Sequence, residues 1–174
     1  ALQLLPGRGE TVGAALVADA RVRGVMFTGS TEVAALINRK LAARGGNVPL
    51  IAETGGQNAM IVDSTALPEQ VVDAVVQSAF RSAGQRCSAL RLLCVHAAIA
   101  DGVIAMLKGA ASELVVGDTA DLATDVGPVI DAEAYDNIQK HIQRLRLEAK
   151  VLLAPVESNQ VAIENVANLI APHA

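Results

Sequence analysis

Gly24-Val25-Met26-Phe27-Thr28-Gly29-Ser30-Thr31-Glu32-Val33 is the stretch that decides the fold. Its first four residues read as a short buried strand, and Thr28-Gly29-Ser30-Thr31 is a turn whose hydroxyls suit the start of a helix. From about Glu32 to Arg44 the apolar residues Val33, Leu36, Ile37 and Leu41 recur at helical spacing. Strand, turn and helix in this order are the repeating unit of an α/β layer fold. Gly29 lets a ligand approach the backbone, Ser30 offers a hydroxyl, and the first N–H groups of the helix lack intrahelical acceptors. On its own the turn reads equally well as an ordinary cap or as an anion site.

The same grammar continues on both sides. Upstream, Leu2, Leu4 and Leu5 imply a strand, Pro6-Gly7-Arg8-Gly9-Glu10-Thr11-Val12-Gly13 a glycine turn, and the alanine-rich run to about Ala20 a helix. The spacing of Gly7, Gly9 and Gly13 departs from the usual dinucleotide fingerprint, so alone it marks a turn. Downstream, Gly45-Gly46-Asn47 ends the helix and Pro49-Leu50-Ile51-Ala52 makes a strand with Glu53 at its carboxyl end. Ligands of open α/β sheets collect at that end of the strands. Ala59 to Val62 is a further strand, Pro68 to about Ser82 a helix, and Leu90 to His96 a strand with Leu92, Cys94 and His96 on one face. Cys94 reads as core. Helices are expected over 99–114 and 131–148, with a constrained loop at 124–131, an apolar stretch at 151–153 and a short helix over 161–170.

Composition limits the function classes. The 174 residues are 52% hydrophobic and 18% charged, which describes a folded chain. A net charge of −4 without a basic block argues against a nucleic-acid partner. No apolar run has the length of a membrane span, and the N-terminal residues lack a signal-peptide pattern. Cys87 and Cys94 have no metal-ligand spacing with His96, His141 or His173, so no metal site is expected. Two cysteines without a disulfide pattern fit a cytoplasmic location.

Ser82-Ala83-Gly84-Gln85-Arg86-Cys87-Ser88-Ala89-Leu90-Arg91 places a thiol after a glycine turn and beside an arginine. The thiolate is the reactive form of cysteine, and neighbouring cations or N–H groups favour it. Cys87 is therefore a candidate nucleophile, although a lone cysteine is by default a small buried residue.

Three motifs taken together, Phe27-Thr28-Gly29-Ser30-Thr31-Glu32-Val33, Glu53-Thr54-Gly55-Gly56-Gln57 and Gly84-Gln85-Arg86-Cys87, resemble the aldehyde dehydrogenase superfamily in order and spacing. Glu53 precedes Cys87 by 34 positions (87 minus 53), the separation found in that superfamily. The wording of 83–91 and of 4–13 resembles the branch that oxidises L-glutamate γ-semialdehyde within bifunctional proline utilisation proteins. The resemblance implies an α/β fold made of a partial Rossmann-like cofactor domain and part of an open α/β catalytic domain. It divides the chain into 1–53, the C-terminal part of the NAD-binding domain, 54–148, the N-terminal part of the cysteine domain, and a divergent or truncated tail over 149–174.

It also implies roles. Cys87 attacks the aldehyde, its N–H helps to hold the oxyanion, and Glu53 activates the water that hydrolyses the thioester. NAD is the implied cofactor. Gly29, Ser30 and Thr31 face its pyrophosphate, Gly9 and Gly13 line the same cleft, Val33 packs nearby, and Thr54 and Gly55 lie by the nicotinamide. Arg86 orients the loop, biases the thiol or makes an exposed ion pair. The implied partners are a small aldehyde and either copies of itself or the rest of a larger bifunctional chain. The family's oxyanion asparagine, ribose-binding lysine, nicotinamide-ribose glutamate and substrate-carboxylate loop have no counterpart in these residues. The isolated polypeptide is accordingly expected to turn over little or no aldehyde. The contrasting expectation is a non-catalytic α/β module that self-associates through open sheet edges, and a third is a thiol-dependent esterase.

Overall fold

In the computed structural model, which describes residues 2–149, the chain divides into two compact units between Gly56 and Gln57. The first unit opens with a five-residue π turn, Gly9–Gly13, that runs directly into α1 (Ala14–Ala18). β1 (Val25–Gly29) and β2 (Leu50–Thr54) pair in parallel, with α2 (Thr31–Ala43) as the crossover between them. α2 begins where its cap predicts, because the Ser30 hydroxyl accepts the Val33 N–H at 3.2 Å. Its other end is tied down by Arg44, whose guanidinium donates to the carbonyls of Val17 and Val22 at 2.8 and 2.9 Å. Leu41 and Val17 are buried in this unit.

One expectation fails in this unit. Leu2 to Leu5 form no strand, and Leu2 and Leu4 are exposed. Alternating apolar residues make a strand only when another strand accepts the backbone groups, and none among the described residues does so. Val33 and Leu36, two of the four helically spaced apolar residues of α2, are 42% and 49% exposed. Of the four, only Leu41 is buried.

The second unit contains β3 (Asn58–Val62), α3 (Pro68–Ala79), β4 (Leu90–Val95), α4 (Ala97–Ser112) and α5 (Ala132–Glu148). β3 and β4 are parallel, with a register shift between Asn58 and Ala59 that leaves Arg91 without a partner on β3. Val62, Val71, Val72, Val75, Leu90 and Val103 form the core between this sheet and helices α3 and α4. Each such side chain contributes about 1.5–3 kcal/mol by leaving water. Pro68 at the first turn of α3 and Asp131 at the N-cap of α5, accepting the Ala134 N–H at 2.8 Å, set the two helix starts.

Leu93 and Val95 pack against the core, whereas Leu92 is 54% exposed, Ile61 83% exposed and Cys94 exposed. The alternation of β4 is as expected, but the placement of Cys94 in the core is wrong. The helices cover one face of the β3–β4 sheet, and Cys94 lies on the other.

α3 also ends three residues earlier than its periodicity predicts. After Phe80 the chain turns left-handed through Ser82 (φ 56°), Ala83 (φ 52°) and Gly84 (φ 66°).

The loop before α5 is held by its own aspartates. Asp125 accepts the Val115 N–H at 2.9 Å, Asp118 the Ala120 N–H and Asp121 the Ala123 N–H. The apolar stretch and helix expected after Lys150 lie outside the described residues. Among those described, no helix is long and apolar enough to cross a membrane.

Candidate functional site

Residues singled out from the sequence fall into two clusters, one in each unit. In the first unit the β1–β2 register sets Thr28 beside Glu53 and Gly29 beside Thr54. Because the strands are parallel, both carboxyl ends lie at one edge of the sheet. That edge gathers Gly29, Ser30, Thr31 and the start of α2 on one side, and Glu53, Thr54 and Gly55 on the other. Glu53 and Ser30 are both exposed. Val33 lies in the first turn of α2 and donates its N–H to Ser30. Gly9 and Gly13 bound the π turn that leads into α1, which packs against α2.

At Gly9, Gly13 and Gly55 an added Cβ meets nothing within 4 Å, and none of the three has a positive φ. Neither packing nor backbone conformation requires glycine there, so open space flanks the backbone.

One charge bears on this edge. Glu32 sits in the first turn of α2, and its carboxyl is held below the ordinary 4.5 by its own backbone N–H and then by the Ser30 hydroxyl. An anion docking at the helix start shares those donors with Glu32. The 13-residue helix still offers further first-turn N–H groups.

The second cluster is the Cys87 loop, and the structure fixes its backbone from several directions while leaving the thiol exposed. The left-handed turn at Ser82–Gly84 points the chain back along α3. Arg91 donates to the Gly84 carbonyl at 2.6 Å, and Arg86 donates to the Gln77 carbonyl in the last turn of α3 at 3.0 Å. Arg86 therefore orients the loop. Gln85 reaches across to the segment before α5, where its Oε1 accepts the Ile130 N–H at 2.8 Å. Ser78 accepts the Leu90 N–H at 3.2 Å. From the start of β3, the Asn58 amide donates to the carbonyls of both Cys87 and Ala89, at 2.7 and 2.9 Å. The Cys87 N–H has no acceptor among the described residues.

Sequence reasoning misses Asn58, Gln85 and Arg91 as tethers, and it carries the helix to about Ser82, the first of the three left-handed residues. Glycine at position 84 was the only local signal of the turn. Among the described residues no group of three or more His, Cys, Asp or Glu side chains is placed to hold a metal ion.

Comparison with known proteins places these clusters in context. The model of the aldehyde dehydrogenase family matches residues 1–172, which include most of the segment after 148. The bifunctional protein PutA of Klebsiella aerogenes is 61% identical over 162 residues, 91% of this chain, and that of Escherichia coli K12 is 60% identical over the same length. The chain spans 12% of the length of these relatives. A 1-pyrroline-5-carboxylate dehydrogenase of Geobacillus kaustophilus is 37% identical over 155 residues, covering 87% of this chain and 30% of that protein. Among solved structures, Bradyrhizobium japonicum proline utilization A superposes with a TM-score of 0.88 at 58% identity, over 96% of this chain and 16% of that one. An α/β chain with open sheets, carrying the glutamate and cysteine motifs at the family's separation and matched by its model from residue 1 to residue 172, belongs to the aldehyde dehydrogenase family.

Proposed function

We propose that this chain is the nucleophile-bearing segment of an NAD-dependent dehydrogenase that oxidises L-glutamate γ-semialdehyde to glutamate in proline breakdown. The observation that carries this reading is the Cys87 loop: an exposed thiol on a backbone braced by five side chains, with an N–H at the same residue that has no acceptor among the described residues.

Cys87 Sγ attacks the aldehyde carbon as thiolate, and the Cys87 N–H stabilises the negative charge that develops on the oxygen. Glu53 takes a proton from the water that cleaves the Cys87 thioester. Its exposed position at the end of β2 gives water access. The open space beside Gly9, Gly13 and Gly55 and the start of α2 suit a dinucleotide; Gly29, Ser30 and Thr31 would hold its phosphates, Gly9, Gly13 and Val33 would line the same cleft, and Thr54 and Gly55 would hold its nicotinamide end. When bound, NAD supplies the hydride acceptor. The 1–53 and 54–148 division into cofactor and cysteine parts belongs to this reading, as do a cytoplasmic location and a place within a larger bifunctional or oligomeric assembly. Semialdehyde preference is supported by the PutA relatives and by the pyrroline-carboxylate dehydrogenase.

Two assays test it. The purified 174-residue polypeptide with glutamate semialdehyde and NAD is expected to make no NADH above background, because loss of one oxyanion donor alone costs about 10²–10³ in rate. Robust production refutes that expectation. A chimera in which the segment replaces its counterpart in Escherichia coli PutA is expected to be active, and Cys87→Ala is expected to abolish its NADH production. A Cys87→Ala chimera that keeps its rate sinks the nucleophile assignment.

A second reading rests on the open sheet faces, where Met26 in one unit and Ile61 in the other are 82% and 83% exposed. In it the isolated chain self-associates, and sedimentation as a monomer at all concentrations excludes it.

A further inference from the structure

We infer that Asn58 is a positioning residue for the nucleophile, an assignment that rests on the reading of Cys87 as the attacking thiol. Asn58 opens β3 as the partner of Leu90, one position before the β3–β4 register shifts, so it stands at the point where the Cys87 loop enters β4. A side-chain amide carries two N–H donors. Here both are used, one on the Cys87 carbonyl at 2.7 Å and one on the Ala89 carbonyl at 2.9 Å. The same register shift frees Arg91, which holds the Gly84 carbonyl at 2.6 Å. The loop is thus anchored before Cys87 by Arg91 and at and after it by Asn58.

The Asn58 tether differs from the others in touching the nucleophile's own peptide unit. Holding the Cys87 carbonyl restrains ψ of that residue, and with it the direction of the Cα–Cβ bond that carries Sγ. Preorganised geometry of this kind favours attack, because the thiol and the oxyanion donor need no reordering during reaction. Ala89 is fully buried, so the second bond also satisfies a carbonyl that water reaches poorly. Asparagine at this position is otherwise unaccounted for. Position 58 is a strand start, where asparagine is disfavoured.

The test uses the polypeptide itself, with Cys94 as internal reference because it is also exposed and lies on β4. Wild type, Asn58→Ala and Asn58→Asp are compared by amide hydrogen exchange and by iodoacetamide alkylation across pH 6–10. In Asn58→Ala, exchange over residues 85–89 is expected to rise about tenfold while α3 is unchanged, the loss of two modest hydrogen bonds. In Asn58→Asp, a carboxylate set beside the Cys87 carbonyl is expected to displace the alkylation profile of Cys87 to higher pH and to leave that of Cys94 in place. A purely structural role moves both cysteines together.

Unchanged loop exchange, or loop and α3 exchange rising in parallel, overturns the assignment, as does a common displacement of both profiles. A separate arm, run on the chimera with Escherichia coli PutA, checks the reading beneath it: glutamate semialdehyde is expected to protect wild-type Cys87, and not Cys94, from alkylation. Absence of that protection refutes the nucleophile reading, whereas the exchange and pH results refute or support the role of Asn58.

Discussion

Replacing Gly84 with alanine strikes the loop at its tightest point. Gly84 has φ +66°, and a Cβ built there stands 2.9 Å from the Ala79 carbonyl oxygen and 3.1 Å from Nη1 of Arg91. The left-handed conformation costs a residue with a side chain about 1–2 kcal/mol. The close approach adds about 1 kcal/mol more, because the contacted oxygen belongs to the last turn of α3 and moves only with the helix end. Restricting the unfolded chain returns about 0.4–1 kcal/mol. The net expectation is a loss of about 2 kcal/mol, or about 4–8 °C in Tm for a chain of this size. Urea and thermal melts followed by far-UV circular dichroism measure it. Gly102→Ala and Gly109→Ala, inside α4 with nothing within 4 Å, are the controls, each expected to gain about 0.5–1 kcal/mol. A Gly84→Ala chain that melts within 1 °C of wild type refutes the strain argument.

Other consequences follow from the same contacts. Asp131→Ala removes the cap of α5 and is expected to cost about 1 kcal/mol, with Asp131→Asn recovering most of it in the same urea melts. Ala83→Gly relieves a left-handed alanine and is expected to be neutral or stabilising, unlike a glycine placed in α3. The carboxyls of Glu32 and Asp63 are both held below their ordinary values, Asp63 first by the Thr65 hydroxyl, so near pH 4 the unfolded chain binds more protons than the folded one. Their contribution is complete above the ordinary values of 4.5 and 3.8 and is lost as pH falls through the lower folded ones. Acid titration of stability should therefore steepen below about pH 4.5, and Asp63→Asn should flatten part of that slope.

The contrast between what the sequence reveals and what it hides is clearest at the two ends of α3. Its start carries Pro68, and its length follows from Val71, Val72 and Val75 on one face, all of them buried. Its end lies at Ala79 because Ser82 and Ala83 take positive φ, which neither residue type signals. Bonds of Arg91, Gln85 and Arg86 hold this turn, and those to α3 and to Ile130 become visible only once the fold brings the partners together. Leu2 to Leu5 and Cys94 were misjudged for a related reason. Alternation tells which residues share a face, as it does for β4, but not whether anything covers that face. The carboxyl-end cluster was legible because parallel pairing of β1 and β2 follows from their crossover helix, and register then puts Glu53 beside Thr28.

The central claim is that Cys87 forms a thioester which Glu53 clears. The most direct test is a rapid-mixing measurement of NADH in the Escherichia coli PutA chimera carrying Glu53→Gln. A burst of about one NADH per site followed by a steady rate slowed by about 10²–10⁴ is predicted, because oxidation proceeds while hydrolysis has lost its base. Full steady-state turnover without a burst contradicts the account.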